Sequence, residues 1–310
     1  MHLPVRLTAT AFAVLVAAGG ATGAASPSAP PSSAPAATPS SSTGPTSQPS
    51  ADPATQTYWL RAMTTQALPP LNVFGTQPYS VITGDGQWVT QLALPTVYPG
   101  PLLPNLQARP ITEAGRTEII KAASDLGLLG GTTDFNSGPV LAGGVSGRIE
   151  MTVDGQRVTL TGNPNALMEC VTTPCEPPPG SAAAFAEFWR RLGDLGSLIP
   201  NELGPASAYV APAYAILVGP PPTQDPNFTQ PPMDWPLQQP LALFGGPVAD
   251  GSYRCGTVSG ADADTLRPWL EAANQLTQWV QDPTTSATFG LTVRPMVPGE
   301  DVCRETFGPA

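Results

Sequence analysis

Two cysteines, Cys255 and Cys303, bracket a stretch whose hydrophobic pattern changes period twice, and this restricts the possible folds more than any other feature of the chain. Residues 253–259 (Tyr-Arg-Cys-Gly-Thr-Val-Ser) read as a strand, and Ser259-Gly260 as the turn that follows. Leu266, Trp269, Leu270, Ala273, Leu276 and Val280 then recur at three- and four-residue spacings, the one-sided stripe of an amphipathic helix. Asp262 or Asp264 is the expected cap. Pro268 fits only a first turn, so the helix is expected to begin near Asp264 or to restart near Pro268, and Asp282-Pro283 should end it. Beyond it, Phe289, Leu291 and Val293 alternate with Thr288, Gly290, Thr292 and Arg294, a half-buried strand.

A bond between these cysteines would close a loop of 49 residues. Loop-closure entropy assigns such a link about 4 kcal/mol, against about 2 kcal/mol for a six-residue loop. Total stabilities are only about 5–15 kcal/mol, so the long link matters most. The other two cysteines stand in Cys170-Val-Thr-Thr-Pro-Cys175, which a local bridge can close. Four cysteines permit three pairings; the expectation is two disulfides, Cys170 with Cys175 and Cys255 with Cys303, in an oxidising compartment. Zinc held by all four thiolates is the rival reading. Zinc ribbons usually show two close pairs, and here one pair is close.

Export is expected on separate grounds. Residues 1–25 carry Arg6, an apolar run over 7–18 and a small-residue stretch over 19–25, the layout of a secretory signal peptide. The apolar run is short of the roughly 20 residues of a membrane span. Residues 26–56 hold eight prolines among 31 residues and no large apolar side chain, so they read as a disordered Pro/Ser/Ala/Thr linker. The mature chain keeps 12 basic against 23 acidic residues. Such an acid excess without a basic stripe argues against nucleic acid and anionic membrane surfaces.

Residues 57–310 form the expected folded region, with possible subdomains 57–218 and 237–310 joined by Pro-rich 219–236. Thr57-Tyr-Trp-Leu-Arg-Ala62 reads as a first strand. Gly84-Asp85-Gly86 and Asp154-Gly155 mark hairpins. Residues 97–109 are broken by Pro99, Pro101 and Pro104 into a loop or interrupted edge strand. Helices are expected over 111–126, capped by Thr112, and after Ser181, with Phe185, Phe188, Trp189, Leu192 and Leu195 on one face. Residues 209–218 form an apolar strand interrupted by Pro212. Residues 219–240 carry eight prolines and read as a long surface connection, or more sharply as a polyproline ligand. The fold class is α+β, with helices packed on antiparallel sheets.

The sole histidine is His2, inside the expected leader 1–25, which leaves the mature chain without Ser-His-Asp, Cys-His or histidine–metal chemistry. Ser146 in Gly144-Val-Ser-Gly-Arg148 lacks the final glycine of a nucleophile elbow. The single lysine, Lys121, sits on the solvent face of its helix. No phosphate loop, dinucleotide fingerprint or calcium loop is present, and no cofactor or metal is expected. Carboxylates remain the one route to acid–base work. Among the aromatics, Trp59, Trp88, Phe228 and Trp235 fall on strands or loops, where a flat ring can stack on a sugar or a peptide.

Val97-Tyr-Pro-Gly-Pro-Leu-Leu-Pro104, the helix opening Ile111-Thr-Glu-Ala-Gly115, Cys255-Gly-Thr-Val-Ser-Gly-Ala-Asp262 and Leu291-Thr-Val-Arg-Pro-Met-Val-Pro-Gly-Glu-Asp-Val-Cys303 resemble uncharacterised secreted proteins of actinobacteria. The resemblance covers most of 57–310 and implies export, with nothing catalytic. The helix and Asp-Gly hairpin of 111–161 are similar to small secreted protease inhibitors. The expected function is non-catalytic binding of a protein or glycan at the cell envelope. The alternatives are a histidine-independent hydrolase using a carboxylate pair, and a secreted protease inhibitor.

Overall fold

A computed structural model describes residues 58–66, 69–93, 97–136, 145–166, 176–224, 226–228, 230–281 and 287–308. The expected leader 1–25, the expected linker 26–56 and Cys170 and Cys175 lie outside the described residues. The described elements fall within one unit of the chain.

The first part of the chain supplies β1 (Tyr58–Gln66), α1 (Pro70–Val73), β2 (Ser80–Thr83), β3 (Gln87–Gln91), β4 (Leu106–Pro110), α2 (Glu113–Asp125), β5 (Asp134–Phe135), β6 (Val145–Val153), β7 (Gln156–Gly162), α3 (Ala182–Gly193), α4 (Leu195–Leu198) and β8 (Ser207–Ala208). Its strands form an eight-stranded sheet in the order β5-β7-β6-β1-β2-β3-β4-β8, antiparallel except at β5–β7. Both expected hairpins form. Gly86 takes positive φ between β2 and β3, and Asp154 and Gly155 take positive φ between β6 and β7, as the tight turn requires.

Helices α2 and α3 cover one face of this sheet. Thr112 caps α2 by accepting from the Gly115 N–H at 3.1 Å, and Ser181 caps α3 by accepting from the Ala184 N–H at 3.1 Å. The stripe Phe185, Phe188, Trp189 and Leu192 is buried against Leu60, Ile149, Met151 and Leu160 of the central strands. Each such side chain contributes about 1.5–3 kcal/mol on full burial. Gly147 and Gly162 are paired across β6 and β7, and a Cβ there would stand 2.8 Å from the Trp189 ring and 2.6 Å from that of Phe185. The aromatic face of α3 therefore rests directly on backbone.

The second part supplies β9 (Ala213–Gly219), β10 (Met233–Asp234), β11 (Gly246–Val248), β12 (Tyr253–Ser259), α5 (Ala261–Ala272), β13 (Trp279–Val280), β14 (Thr288–Pro295) and α6 (Val302–Phe307). Its six-stranded sheet runs β10-β13-β14-β9-β12-β11, antiparallel except at β10–β13. The fold is α+β with antiparallel-rich sheets. The strand after Pro212 pairs with β12 and β14, in the second sheet, so the sheets change over at residues 209–212. Helix α5 covers one face of the second sheet with Ala263, Leu266 and Leu270 against Ile216, Val258 and Val293. On the other face Ala215 and Leu217 meet Phe74, Met296 and Val302.

Helix α6 ties the sheets together. Cys303 is bonded to Cys255 of β12, with a Cα separation of 5.8 Å, which removes this pair from any zinc site. Two residues further on, Glu305 receives two hydrogen bonds from Arg61 of β1, at 3.0 and 3.1 Å. Val297, in the turn before α6, packs with Val81, Val89 and Ala108 of the first sheet.

Three expectations for the C-terminal stretch are corrected. The N-cap of α5 is Gly260, at φ 60°, and no side chain caps it; Asp262 and Asp264 lie in the first turn, where they face the positive helix end. Pro268 stands inside the helix, and the helix stops at Ala272 instead of running on through Val280. Leu276 and Val280 are buried as the stripe implied, but in a turn and a short strand, and Trp279, outside the stripe, is buried beside Val280 in that strand.

Candidate functional site

The early end of α5 has a local cause with a wider consequence. Asn274 folds back on its own chain: its side-chain oxygen accepts from the Leu276 N–H at 2.9 Å, and its N–H donates to the Thr277 hydroxyl at 2.9 Å. Short polar side chains that capture nearby backbone groups in this way compete with the helix for them. Gln275 completes the diversion by donating its N–H to the Gly100 carbonyl at 3.0 Å. Residues 273–278 are thus a turn whose polar groups face outward to other segments.

Two proline-rich loops are fixed to that turn. The first, residues 97–104, contains a cis Tyr98–Pro99 peptide and makes a bridge between Pro101 and Asn274. Its Leu102 N–H donates to the Ala273 carbonyl at 3.2 Å, and Leu102 and Leu103 pack on the core under α5. Gly100 lets the loop lie close, since a Cβ there would stand 3.2 Å from the Gln275 side chain. The second loop, described over residues 220–224, 226–228 and 230–232, is held through three glutamine amides. Gln224 donates to the Leu276 carbonyl at 2.9 Å, and Gln278 donates to the Pro222 carbonyl at 3.1 Å. Gln230 and Asn274 exchange side-chain hydrogen bonds of 3.0 and 2.8 Å. Each bond contributes about 0.5–1.5 kcal/mol net, and together they fix two segments that have no regular structure of their own.

At the surface the loops present an aromatic pair. Tyr98 and Phe228 meet edge to face, with centroids 5.3 Å apart and planes at 87°. Tyr98 is 57% exposed, Phe228 44% and neighbouring Val97 56%. Large apolar side chains displayed together on fixed loops are unusual on a surface and mark contact sites.

Of the four aromatic residues singled out from the sequence, Phe228 belongs to this surface and three do not. Trp88 is buried and donates its indole N–H to Ser80 at 2.9 Å. Trp235 is buried too, donating to the Gln239 carbonyl at 2.9 Å and packing edge-on against Trp279 at 5.9 Å. Trp59 is half-buried beneath the Arg116 guanidinium, 5.5 Å from its ring centre. Tyr98 was missed because its exposure depends on Asn274 and Gln275, remote in sequence; the proline cluster beside it signalled a loop and nothing more. Trp269, placed on the apolar face of its helix by periodicity, is 37% exposed.

The two buried acidic residues are engaged away from this surface. Glu150 and Glu300 are the buried carboxylates among the described residues. Glu150 accepts from the Tyr58 hydroxyl and pairs with Arg61 at 3.2 Å and Arg148 at 2.5 Å. Burial pushes its carboxyl upward, but the Tyr58 hydrogen bond and the Arg61, Arg148 and Arg157 guanidiniums outweigh that and hold it below the ordinary range. Glu300 pairs with Arg294 and accepts from the Val297 N–H at 2.9 Å; burial dominates there and raises its carboxyl. Lys121 is exposed and paired with Asp125 at 2.5 Å. Ser146 lies within strand β6. Among the described residues no group of three or more His, Cys, Asp or Glu side chains is placed to hold a metal ion.

No helix of the described residues is long and apolar enough to cross a membrane, and the Cys255–Cys303 bond is compatible with an extracellular protein. Comparison with protein-family models, with curated proteins and with solved structures returns no match.

Proposed function

We propose that the chain is an exported, non-catalytic binding protein of the cell envelope, and that it engages a protein partner through Tyr98, Phe228 and Val97. The observation that carries this reading is the exposed edge-to-face pair on two loops, both hydrogen-bonded to residues 273–278. Fixing the loops beforehand lowers the ordering cost of association, and aromatic anchors supply most of the energy at such contacts. A protein partner fits better than a glycan. Sugar rings stack on an open aromatic face, whereas rings crossed at 87° offer a ridge suited to an apolar notch. The composition of residues 1–25 and 26–56, a leader followed by a spacer, supports export and a reach away from the surface. The resemblance to secreted actinobacterial proteins agrees with that location.

A secreted protease inhibitor is the second reading. It is favoured by the same loop, residues 97–101, whose exposed Val97 and Tyr98 precede a backbone segment locked by Gln275 and Asn274. Titration against purified secreted serine proteases separates the two readings.

Deleting residues 219–240 is a poor test, because it removes the buried Trp235 and Leu237 together with the Gln224 and Gln230 bonds. The double variant Tyr98→Ala/Phe228→Ala touches only exposed rings. Used as bait on solubilised envelope, it should retain less than about one tenth of the partner captured by the wild type, a loss of about 1.4 kcal/mol or more. Equal capture by both proteins would refute the assignment.

A further inference from the structure

Four aromatic rings stack outward from the core of the first sheet and end at an open groove. Phe135 lies on Phe185 with centroids 6.0 Å apart and planes at 21°, and Phe185 on Trp189 at 6.2 Å and 29°. Trp189 in turn carries Tyr79 at 5.0 Å and 13°, the closest and most parallel contact of the series. The first three rings are buried, whereas Tyr79, just before β2, is 38% exposed. Trp189 covers its inner face, and its hydroxyl end is held against Gly193 at the end of α3, where a Cβ would overlap the ring oxygen. The exposed area therefore belongs to the outer face and the free edge. A ring fixed in this way has little freedom left to lose when a ligand stacks on it.

Tyr79 forms one wall of a groove of about 470 Å³, within the roughly 300–1,000 Å³ of small-molecule sites. Thr64 near the end of β1, and Thr90 and Gln91 at the end of β3, line it together with Leu92. The two threonines are half-buried and Gln91 is exposed, so their polar groups are open to a ligand. Among the described residues no charged side chain lines the groove. Arg190 and Asp194, whose charges reach Tyr79, are bonded to Glu187 and Ser197. An ionic ligand would shed its water here without gaining a counter-charge, and a wholly apolar one would cover the hydroxyls and the amide without replacing their hydrogen bonds. A pyranose meets both demands. The C–H groups of its ring face lie on the electron-rich face of the tyrosine, and hydroxyls around its rim give and accept as threonine and glutamine side chains do. The gluco configuration, with every ring hydroxyl equatorial, leaves that C–H face flat.

We infer that this groove binds a neutral pyranose of the gluco configuration, stacked on the outer face of Tyr79 with its hydroxyls bonded to Thr64, Thr90 and Gln91. The site shares no residue with the Tyr98 and Phe228 surface, and no bond is made or broken in it.

Methyl β-glucopyranoside, cellotetraose and the open-chain polyol sorbitol are the probes. Titrated into the full mature chain at pH 7 and followed by amide NMR, both sugars should give saturable shifts at residues 64, 79, 90–92 and 193, and sorbitol none. Cellotetraose binding at least about tenfold tighter assigns the groove to a glycan chain, and equal affinity assigns it to a free sugar. Tyr79→Phe keeps the stacking ring and should hold affinity within about twofold, while Tyr79→Ala should lower it at least about tenfold. If Tyr79→Ala does not fold, the double variant Thr90→Val/Gln91→Leu, which removes the hydrogen-bonding groups at the groove wall, should give a loss of the same size. No saturation by either sugar would overturn the assignment, as would sorbitol binding as well as the sugars, or affinity unchanged in whichever of these variants folds. Tighter binding of N-acetyltyrosinamide than of the sugars, with the same shifts, would make the groove a peptide site and overturn it as well.

Discussion

Breaking the Cys255–Cys303 bond by the double variant Cys255→Ser/Cys303→Ser tests how the two sheets are held together. The cysteines are 48 positions apart, so the bond closes a loop of 49 residues. Loop-closure entropy then gives about 4 kcal/mol lost on its removal. Folded domains of this size lose about 2–4 °C in melting temperature per kcal/mol, which puts the expected drop at about 8–16 °C. The loss should begin at α6. Its Val302 is fully buried beside Cys255, and its Glu305 holds Arg61, so amides of residues 302–307 should lose hydrogen-exchange protection before those of β1 or β9. Calorimetry at pH 7 reads the first quantity and exchange mass spectrometry the second. A control, Cys170→Ser/Cys175→Ser, addresses the local bond expected from the sequence, whose six-residue loop would be worth about 2 kcal/mol, and should shift melting about half as far. A drop under about 3 °C for the Cys255 and Cys303 variant, or one no larger than the control's, would refute the reasoning.

Acid should destabilise the protein through Glu150. Its folded carboxyl lies below the ordinary 4.5, so its stabilising effect is complete above that value and is lost as pH falls through the lowered one. Urea midpoints measured from pH 7 down to pH 3 should decline, and Glu150→Gln should flatten that decline while costing about 3 kcal/mol at pH 7 through the guanidiniums it strips of a partner. Glu300 acts in the opposite sense. Its carboxyl is raised by burial, so its effect is complete below the ordinary value and is lost as pH rises through the raised one; Glu300→Gln should steepen the decline on acidification. Gly162→Ala would bring a methyl to 2.6 Å from the Phe185 ring and should cost about 1–3 kcal/mol, read as a lower urea midpoint with an unchanged slope.

What was legible in the sequence was local. Asp154-Gly155 specifies its hairpin because two adjacent residues must take positive φ, and Thr112 and Ser181 specify helix starts because a hydroxyl reaches the N–H three residues on. The end of α5 was not legible. The stripe through Leu276 and Val280 continues at helical spacing, while the groups that end the helix include Gly100, some 170 positions away. The cluster around Arg61 was equally hidden, since its partners Glu150 and Glu305 are 89 and 244 positions distant. Phe228 could be singled out as an aromatic residue among prolines. Its exposure, and the burial of Trp88 and Trp235, depend on which segments cover them, and alternation along one strand does not record that.

The most direct test of the binding surface is photo-crosslinking from position 98, with a photoreactive phenylalanine analogue there and, as control, at exposed Leu243 on the second sheet's edge connection. Irradiation in the envelope of the producing cell should give one protein adduct from position 98, none from position 243, and loss of the adduct when Phe228→Ala is added. Adducts of equal yield from both positions, or none from position 98, would contradict the assignment of Tyr98 and Phe228 as the contact site.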